Sequence, residues 1–256
     1  MLIAVTRAIS PTLAQCELTH LPRDPIDVAK AIAEHARYEV ALRSLGATVV
    51  RAPEEPTLPD AVFVEDTALV LDEVAIITRP GAPSRRPEIE SMATVLSAYK
   101  SVLRIQPPGT LDGGDVMIVG RRVYVGLSSR TNREGIAQLD TLLSEWGYEV
   151  IPVPVKGCLH LKSAVTQVAD NLLLLNDRWV SPECFASMEV VIVAPQEPDA
   201  ANALLIGGTV IYPAHHPETA RRLERAGVPL EAVPCGELAK AEGGVTCCSV
   251  VFEANA

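Results

Sequence analysis

The chain has no apolar run near the ~18 residues of a membrane-spanning helix. It also has no block of Lys and Arg, no C-x-x-C pair, no low-complexity stretch and no obvious linker. Each absence excludes a class of function. With 22 Lys+Arg against 32 Asp+Glu, the net charge of −10 argues against nucleic acid or an anionic membrane as the main partner. That balance is compatible with a cationic substrate. Cys16, Cys158, Cys184, Cys235, Cys247 and Cys248 are irregularly spaced, as in a reduced, cytoplasmic protein and unlike a disulfide scaffold. The apolar start, Met1 to Val5, is too short for a signal peptide, so nothing requires export. His215 and His216 are adjacent, not at helical i, i+4 spacing, which disfavours a zinc site, and no metal is expected. Gly113-Gly114 and Gly243-Gly244 begin no phosphate-binding fingerprint and read as tight turns.

What is present is an ordinary globular composition, 48% apolar and 21% charged over 256 residues. It carries a recurring strand, turn, strand, helix, strand pattern. The first copy has an apolar run from Val62 to Leu71, a turn at Asp72-Glu73, a strand from Val74 to Thr78, a helix carrying Ile89, Met92, Leu96 and Tyr99, and a strand from Val102 to Ile105. The second has strands at Val116 to Val119 and Val123 to Leu127. A capping box, Thr131-x-x-Glu134, opens its helix, Gly147 ends that helix, and Val150 to Val155 follows. The third has strands at Ser163 to Val168, Leu172 to Leu175 and Val190 to Val193, with a short helix around Glu183 to Ser187. The fourth has strands at Ala203 to Ile206, Val210 to Tyr212 and Leu230 to Val233, with a helix from Pro217 to Ala226. The fifth is split. Val245 to Phe252 supplies its first strand, and Leu2 to Val5, a helix from Asp27 to Leu45 and Thr48 to Val50 supply the rest. A unit assembled from both chain ends would close five α/β units into a ring and protect their edge strands.

Polar groups interrupt or precede the first strands: Asp60, Glu65 and Asp66; Asp112 and Asp115; His160 and Lys162; Asn202; Cys247 and Cys248. Charges are rarely buried without a partner or a purpose. A ring would bring all of these to one axis. A thiol, an imidazole and several carboxylates suit attack on the electrophilic carbon of a guanidinium. Only about 3% of a free cysteine is thiolate at pH 7, so a neighbouring cation or imidazolium is needed to activate it. Each residue also has an inert reading. A cysteine in an apolar strand is more often core than nucleophile, a lone histidine is more often structural, Glu65 and Asp66 could be surface carboxylates, and Arg85, Arg86 and Arg130 would form solvated faces.

The segments LPDAVFVED (58–66), ITRPGAPSRR (77–86), TLDGGDV (110–116), RTN (130–132), LHLKS (159–163) and GGVTCCSV (243–250) resemble, in order along nearly the whole chain, the dimethylarginine dimethylaminohydrolase family. The resemblance implies the pentein fold, an α/β propeller of five ββαβ units closed by the N- and C-terminal strands, as one catalytic domain over residues 1–256. It implies hydrolysis of asymmetric dimethylarginine and monomethylarginine to citrulline plus dimethylamine or methylamine, within nitric oxide metabolism and without cofactor. By the same resemblance Cys247 is the nucleophile and His160 the general acid/base, with Asp112 where relatives support the histidine through a longer Glu. Adjacent strand residues face opposite ways, a weak further reason to separate Cys247 from Cys248. Asp66 with Glu65 would hold the guanidinium, and Asp60 the amino-acid end. Arg85 and Arg130 would clamp the α-carboxylate, and Leu18 and Ala241 would offer backbone contacts. The segment from Ala8 to Ile26 resembles a mobile loop over the site.

The expected partner is a small cationic amino acid, with no nucleic acid and no membrane; a homodimer is left open. Two alternatives stand beside this reading. One is a related arginine deiminase or amidinotransferase, although the helical insertion associated with deiminases is missing. The other is a non-catalytic binder of cationic amino acids, which would need no nucleophile.

Overall fold

The repeat of the sequence becomes five separate three-stranded sheets in a computed structural model, which describes residues 1–254. The expected domain, 1–256, thus includes two residues outside the described ones. The chain opens with β1 (Leu2–Thr6), the helix α1 (Val28–Ser44) and β2 (Thr48–Arg51). The first internal unit is β3 (Ala68–Val70), β4 (Val74–Ile77), α2 (Ile89–Leu96) and β5 (Ser101–Arg104). The second is β6 (Val116–Val119), β7 (Arg122–Leu127), α3 (Arg133–Leu143) and β8 (Glu149–Pro154). The third has the one-turn α4 (Leu161–Ala164), then β9 (Val165–Ala169), β10 (Leu172–Leu175), a 3-10 turn at Pro182–Phe185 and β11 (Glu189–Ile192). The fourth is β12 (Leu204–Ile206), β13 (Thr209–Pro213), α5 (Pro217–Arg225) and β14 (Leu230–Val233). A short α6 (Gly236–Ala239) and β15 (Val250–Glu253) complete the described chain.

Within each internal unit the first strand pairs antiparallel with the second, and the second pairs parallel with the third across the helical connection. That order follows from connection length, since a tight turn joins only antiparallel neighbours. The terminal sheet repeats the scheme with strands from opposite chain ends. There β15 lies antiparallel to β1, with Leu2 opposite Glu253 and Val5 opposite Val250, and β2 lies parallel on the other side. The Met1 amino group donates to the Ala254 carbonyl at 3.0 Å and fastens the seam.

Five apolar clusters lie between successive units. Ile3 and Phe252 of the terminal unit meet Ile77 and Met92 of the first. Val74 meets Val123 and Leu139, Tyr124 meets Leu173 and Phe185, and Leu174 meets Val210 and Leu223. The fourth unit then returns to the terminal one, where Ile211 and Val233 pack with Ala4, Tyr38 and Leu42.

Several boundaries differ from the sequence reading, and the differences fall where polar residues concentrate. Glu65 and Asp66 sit on a 3-10 turn, Val64–Thr67, ahead of β3, and not inside a strand from Val62. The last first-strand begins at Val250, so Cys247 and Cys248 lie in the turn before it, and strand alternation cannot separate them. The cap of α3 is Asn132, whose side chain accepts from Gly135 N, and not Thr131. The Thr131 hydroxyl instead accepts from Asp112 N at 3.1 Å, tying this helix start to the site.

Candidate active site

The turns ahead of the first strands carry the reactive groups. Asp60, Asp66, Arg85, Arg130, His160, Ala241 and Cys247 line one cleft. The inert readings of the charged residues fail here. Arg85 is 3% exposed, Arg130 8% and Asp66 3%, so none is a solvated surface group.

His160 caps α4 with extended backbone. Its Nε2 lies 3.0 Å from Asp112 Oδ2, so the shorter aspartate does reach the imidazole. The other oxygen of Asp112 accepts from Gly81 N at 2.8 Å, which fixes the carboxylate. His160 Nδ1 lies 3.8 Å from Asp66 Oδ1. Burial lowers the His160 pKa, but Asp66, Asp112 and Asp115 outweigh it and raise it to about 9. The site therefore stores a proton on a buried imidazole at neutral pH.

Asp66 accepts from Gly114 N at 2.9 Å and from Arg85. Burial raises its pKa, while His160 and Arg85 bring it down to about 2. Arg85 also bonds both Glu88 oxygens, at 3.1 and 2.8 Å, and the Phe63 carbonyl at 2.9 Å. Its Nη2 also donates to the Asp60 carbonyl at 3.3 Å. Asp60 accepts from Glu17 N at 3.1 Å, and burial raises its pKa. Arg130 donates to Thr19 Oγ1 at 3.1 Å.

The structure places Glu65 outside the cleft lining. Its carboxylate takes Lys162 Nζ at 2.6 Å and the Thr246 hydroxyl at 2.8 Å, because successive residues of a 3-10 turn diverge by about a third of a circle. Its backbone N–H donates to the Cys247 carbonyl at 3.1 Å, so Glu65 braces the cysteine turn. Leu18 packs its side chain on the core of the terminal unit and is not a lining residue; Glu17 is. Sequence reasoning also missed Glu88, Phe63 and Glu242. Nothing in the local pattern marks Glu88, whose burial depends on Arg85 folding back onto it.

Cys247 Sγ accepts from Gly244 N at 3.3 Å, which orients the sulfur. Burial, then Glu65 and Asp66, push this thiol well above the usual cysteine range, which favours the protonated sulfur. Cys248 is 1% exposed and points away toward the Gly244 carbonyl. The paired glycines are close-approach positions and not positive-φ turns. A Cβ on Gly114 would lie 2.6 Å from His160 Nδ1, and one on Gly244 would lie 2.3 Å from Asn202 Oδ1.

Among the described residues, Asp66, Asp112 and His160 are the group of three that could offer one ligand atom each to a metal. Arg85, Gly114 N and Gly81 N already occupy the two carboxylates, and the raised imidazole pKa favours a proton over a cation. A neighbouring cavity of about 350 Å³ shares Cys247 and Glu242 with the cleft and holds His215, His216 and Cys235. His215 Nδ1 there lies 3.9 Å from Cys235 Sγ.

The proton on His160 gives a pH prediction. Its folded pKa, about 9, exceeds an unfolded value of about 6.5. Its contribution to stability is therefore complete below about pH 6.5 and lost as pH rises through about 9. Urea midpoints across that window should fall more steeply for the unmodified chain than for His160→Asn. Equal slopes would assign the fall to other groups.

Comparison with known proteins gives concordant matches. The family model described as N,N dimethylarginine dimethylhydrolase, eukaryotic, matches residues 20–183. An N(G),N(G)-dimethylarginine dimethylaminohydrolase of Pseudomonas aeruginosa is 37% identical over 228 residues, 88% of this chain and 90% of the relative. One from Streptomyces coelicolor is 38% identical over 249 residues, 96% of this chain and 95% of the relative. A solved structure of the Pseudomonas aeruginosa protein, a cysteine-to-serine mutant complexed with citrulline, is 36% identical. It superposes with a TM-score of 0.92 over 97% of this chain and 98% of that one. No helix among the described residues is long and apolar enough to cross a membrane.

Proposed function

Because the chain belongs to the dimethylarginine dimethylaminohydrolase family, we propose that it hydrolyses Nω,Nω-dimethyl-L-arginine, and Nω-monomethyl-L-arginine, to L-citrulline and the corresponding alkylamine. The observation that carries the reading is a thiol and a proton-bearing imidazole facing one acid-lined cleft.

The substrate guanidinium lies against Asp66, and its charge allows Cys247 to release its proton to solvent. The thiolate forms a bond to the guanidinium carbon and gives a neutral tetrahedral adduct. His160, held at Nε2 by Asp112, offers Nδ1 to the alkylated nitrogen and protonates it. The C–N bond breaks, dimethylamine leaves, and a cationic S-alkylthiouronium remains on Cys247. The neutral imidazole then takes a proton from water as the oxygen bonds to carbon. The C–S bond breaks, citrulline departs, and the released proton ends on the amine in solution. Acid–base assistance of this kind is worth about 10²–10⁴ in rate. Arg85 and Arg130 suit the α-carboxylate, and Asp60 suits the amino group. Backbone groups of Leu18 and Ala241 complete that end. No resident metal or organic cofactor enters these steps.

We treat the chain as one catalytic domain, a five-unit pentein propeller closed at the terminal sheet. The cyclic order of the apolar clusters supports closure. Six free cysteines support a reducing, cytoplasmic setting. The test is parallel incubation with dimethylarginine, monomethylarginine and arginine, quantifying citrulline and each amine. Dimethylamine in step with citrulline is expected. Ammonia from arginine, with methylated substrates untouched, would replace this reading with a deiminase. No turnover of any of the three would favour a binder.

A further inference from the structure

We infer that Glu242 is the latch of this site: its carboxylate holds the segment 17–24 closed over the cleft and couples that closure to the turn carrying Cys247. The inference rests on the functional reading above for its substrate, and on the structure alone for its geometry.

Three consecutive amides converge on this one carboxylate. Thr19 N donates to Oε2 at 3.0 Å, and His20 N and Leu21 N donate to Oε1 at 2.5 and 2.6 Å. Successive backbone N–H groups turned to one side form an anion-binding concavity, and here a side chain of the protein fills it. Past Leu18 the segment has little else to hold it. Residues 19–25 are exposed and belong to no helix or strand. Arg23 reaches only back to the Ala14 and Cys16 carbonyls, within the loop itself. At its start, Ser84 Oγ donates to Glu17 at 2.6 Å and Leu18 packs on the terminal unit, while Glu17 N to Asp60 and Arg130 to Thr19 use groups that the substrate's amino-acid end would also engage. Both Glu242 oxygens, by contrast, are taken up by loop amides.

The backbone at Glu242 is the second observation. It follows α6 with φ +56, the one positive φ at a non-glycine among the described residues. Glycine or asparagine ordinarily fills such a position after a helix. A glutamate there accepts strain that a glycine would not, which points to a use for its side chain. Two residues on, Gly244 N–H donates to Cys247 Sγ, so the latch and the sulfur's orienting donor ride on one short turn. Closure of the loop therefore bears on the placement of the nucleophile as well as on exclusion of water.

Glu242→Gly keeps the left-handed backbone and removes the carboxylate. Glu242→Gln keeps the length but gives one of its oxygens up for an amide nitrogen, which cannot accept. In the glycine variant the KM for dimethylarginine should rise about tenfold, the equivalent of one charge-assisted hydrogen bond net of solvation, and kcat should fall about three- to tenfold as the Cys247 turn loosens with the loop. Hydrogen exchange at amides 19–21 of the ligand-free chain should accelerate at least tenfold, with protection elsewhere unchanged, and the glutamine variant should fall between. Unchanged KM and unchanged exchange at those amides would overturn the latch, as would exchange accelerated throughout the molecule. Exchange needs no substrate. Accelerated exchange confined to 19–21, in a chain that turns over no methylarginine, would therefore uphold the latch and overturn the functional reading.

Discussion

Replacing Cys247 with serine is expected to lower turnover of dimethylarginine by about four orders of magnitude or more while leaving the fold intact. The argument is chemical. A serine hydroxyl is a far weaker acid than a thiol, and the site already holds the native thiol protonated through burial and the charges of Glu65 and Asp66. The bound guanidinium can offset that bias for sulfur, but the same increment leaves a serine oxygen un-ionised at neutral pH. The structural cost is small. Cys247 is half-buried, its chief polar contact is an acceptance from Gly244 N, and a serine oxygen accepts that bond equally well. Citrulline formation, thermal melting and substrate binding by calorimetry together check the prediction. Intact melting and binding with turnover lost is the expected pattern. Near-normal turnover would remove Cys247 from the mechanism.

Arg85→Leu is expected to destabilise the chain by about 3–5 kcal/mol, because it strands charge in the interior. Arg85 is 3% exposed and bonds Asp66 and both oxygens of Glu88, which are themselves buried. Without the guanidinium, Asp66 keeps the His160 cation, while Glu88 keeps only Arg7, which donates to its carbonyl and not to its carboxylate. For a chain of this size the melting midpoint should fall on the order of 10 °C. Adding Asp66→Asn and Glu88→Gln should restore much of the stability and none of the activity, since neutral partners no longer demand a countercharge. A loss under about 1 kcal/mol for the single variant would mean that water reaches this cluster.

The sequence and the structure agree where side-chain alternation and turn chemistry act locally. Leu172–Leu175 and Leu230–Val233 match their sequence reading residue for residue, and Gly147 ends its helical segment in a left-handed conformation, as its position suggested. Agreement fails at the inner turns. The apolar run from Val62 looks continuous, yet Glu65 and Asp66 break it, because Lys162 and Arg85 capture them from other units or distant loops. No local rule places Arg85 in the interior; its burial is set by Asp66, nineteen residues away, and by three residues of helical return to Glu88. Glu242 was equally invisible, since its partners lie more than two hundred positions away. The proposed pairing of Cys247 with His160 follows from a family likeness. Composition and periodicity reached only as far as a set of polar groups converging on one axis.

The terminal sheet has a consequence for the making of the molecule. The antiparallel partner of β1, β15, lies more than two hundred positions further along the chain. A chain stopped short of Cys247 therefore leaves that flank of β1 open and lacks the proposed nucleophile as well. In the same layout a circular permutant, with the old ends joined across the seam and new ends cut at the Gly207-Gly208 turn, would move that open edge to another sheet.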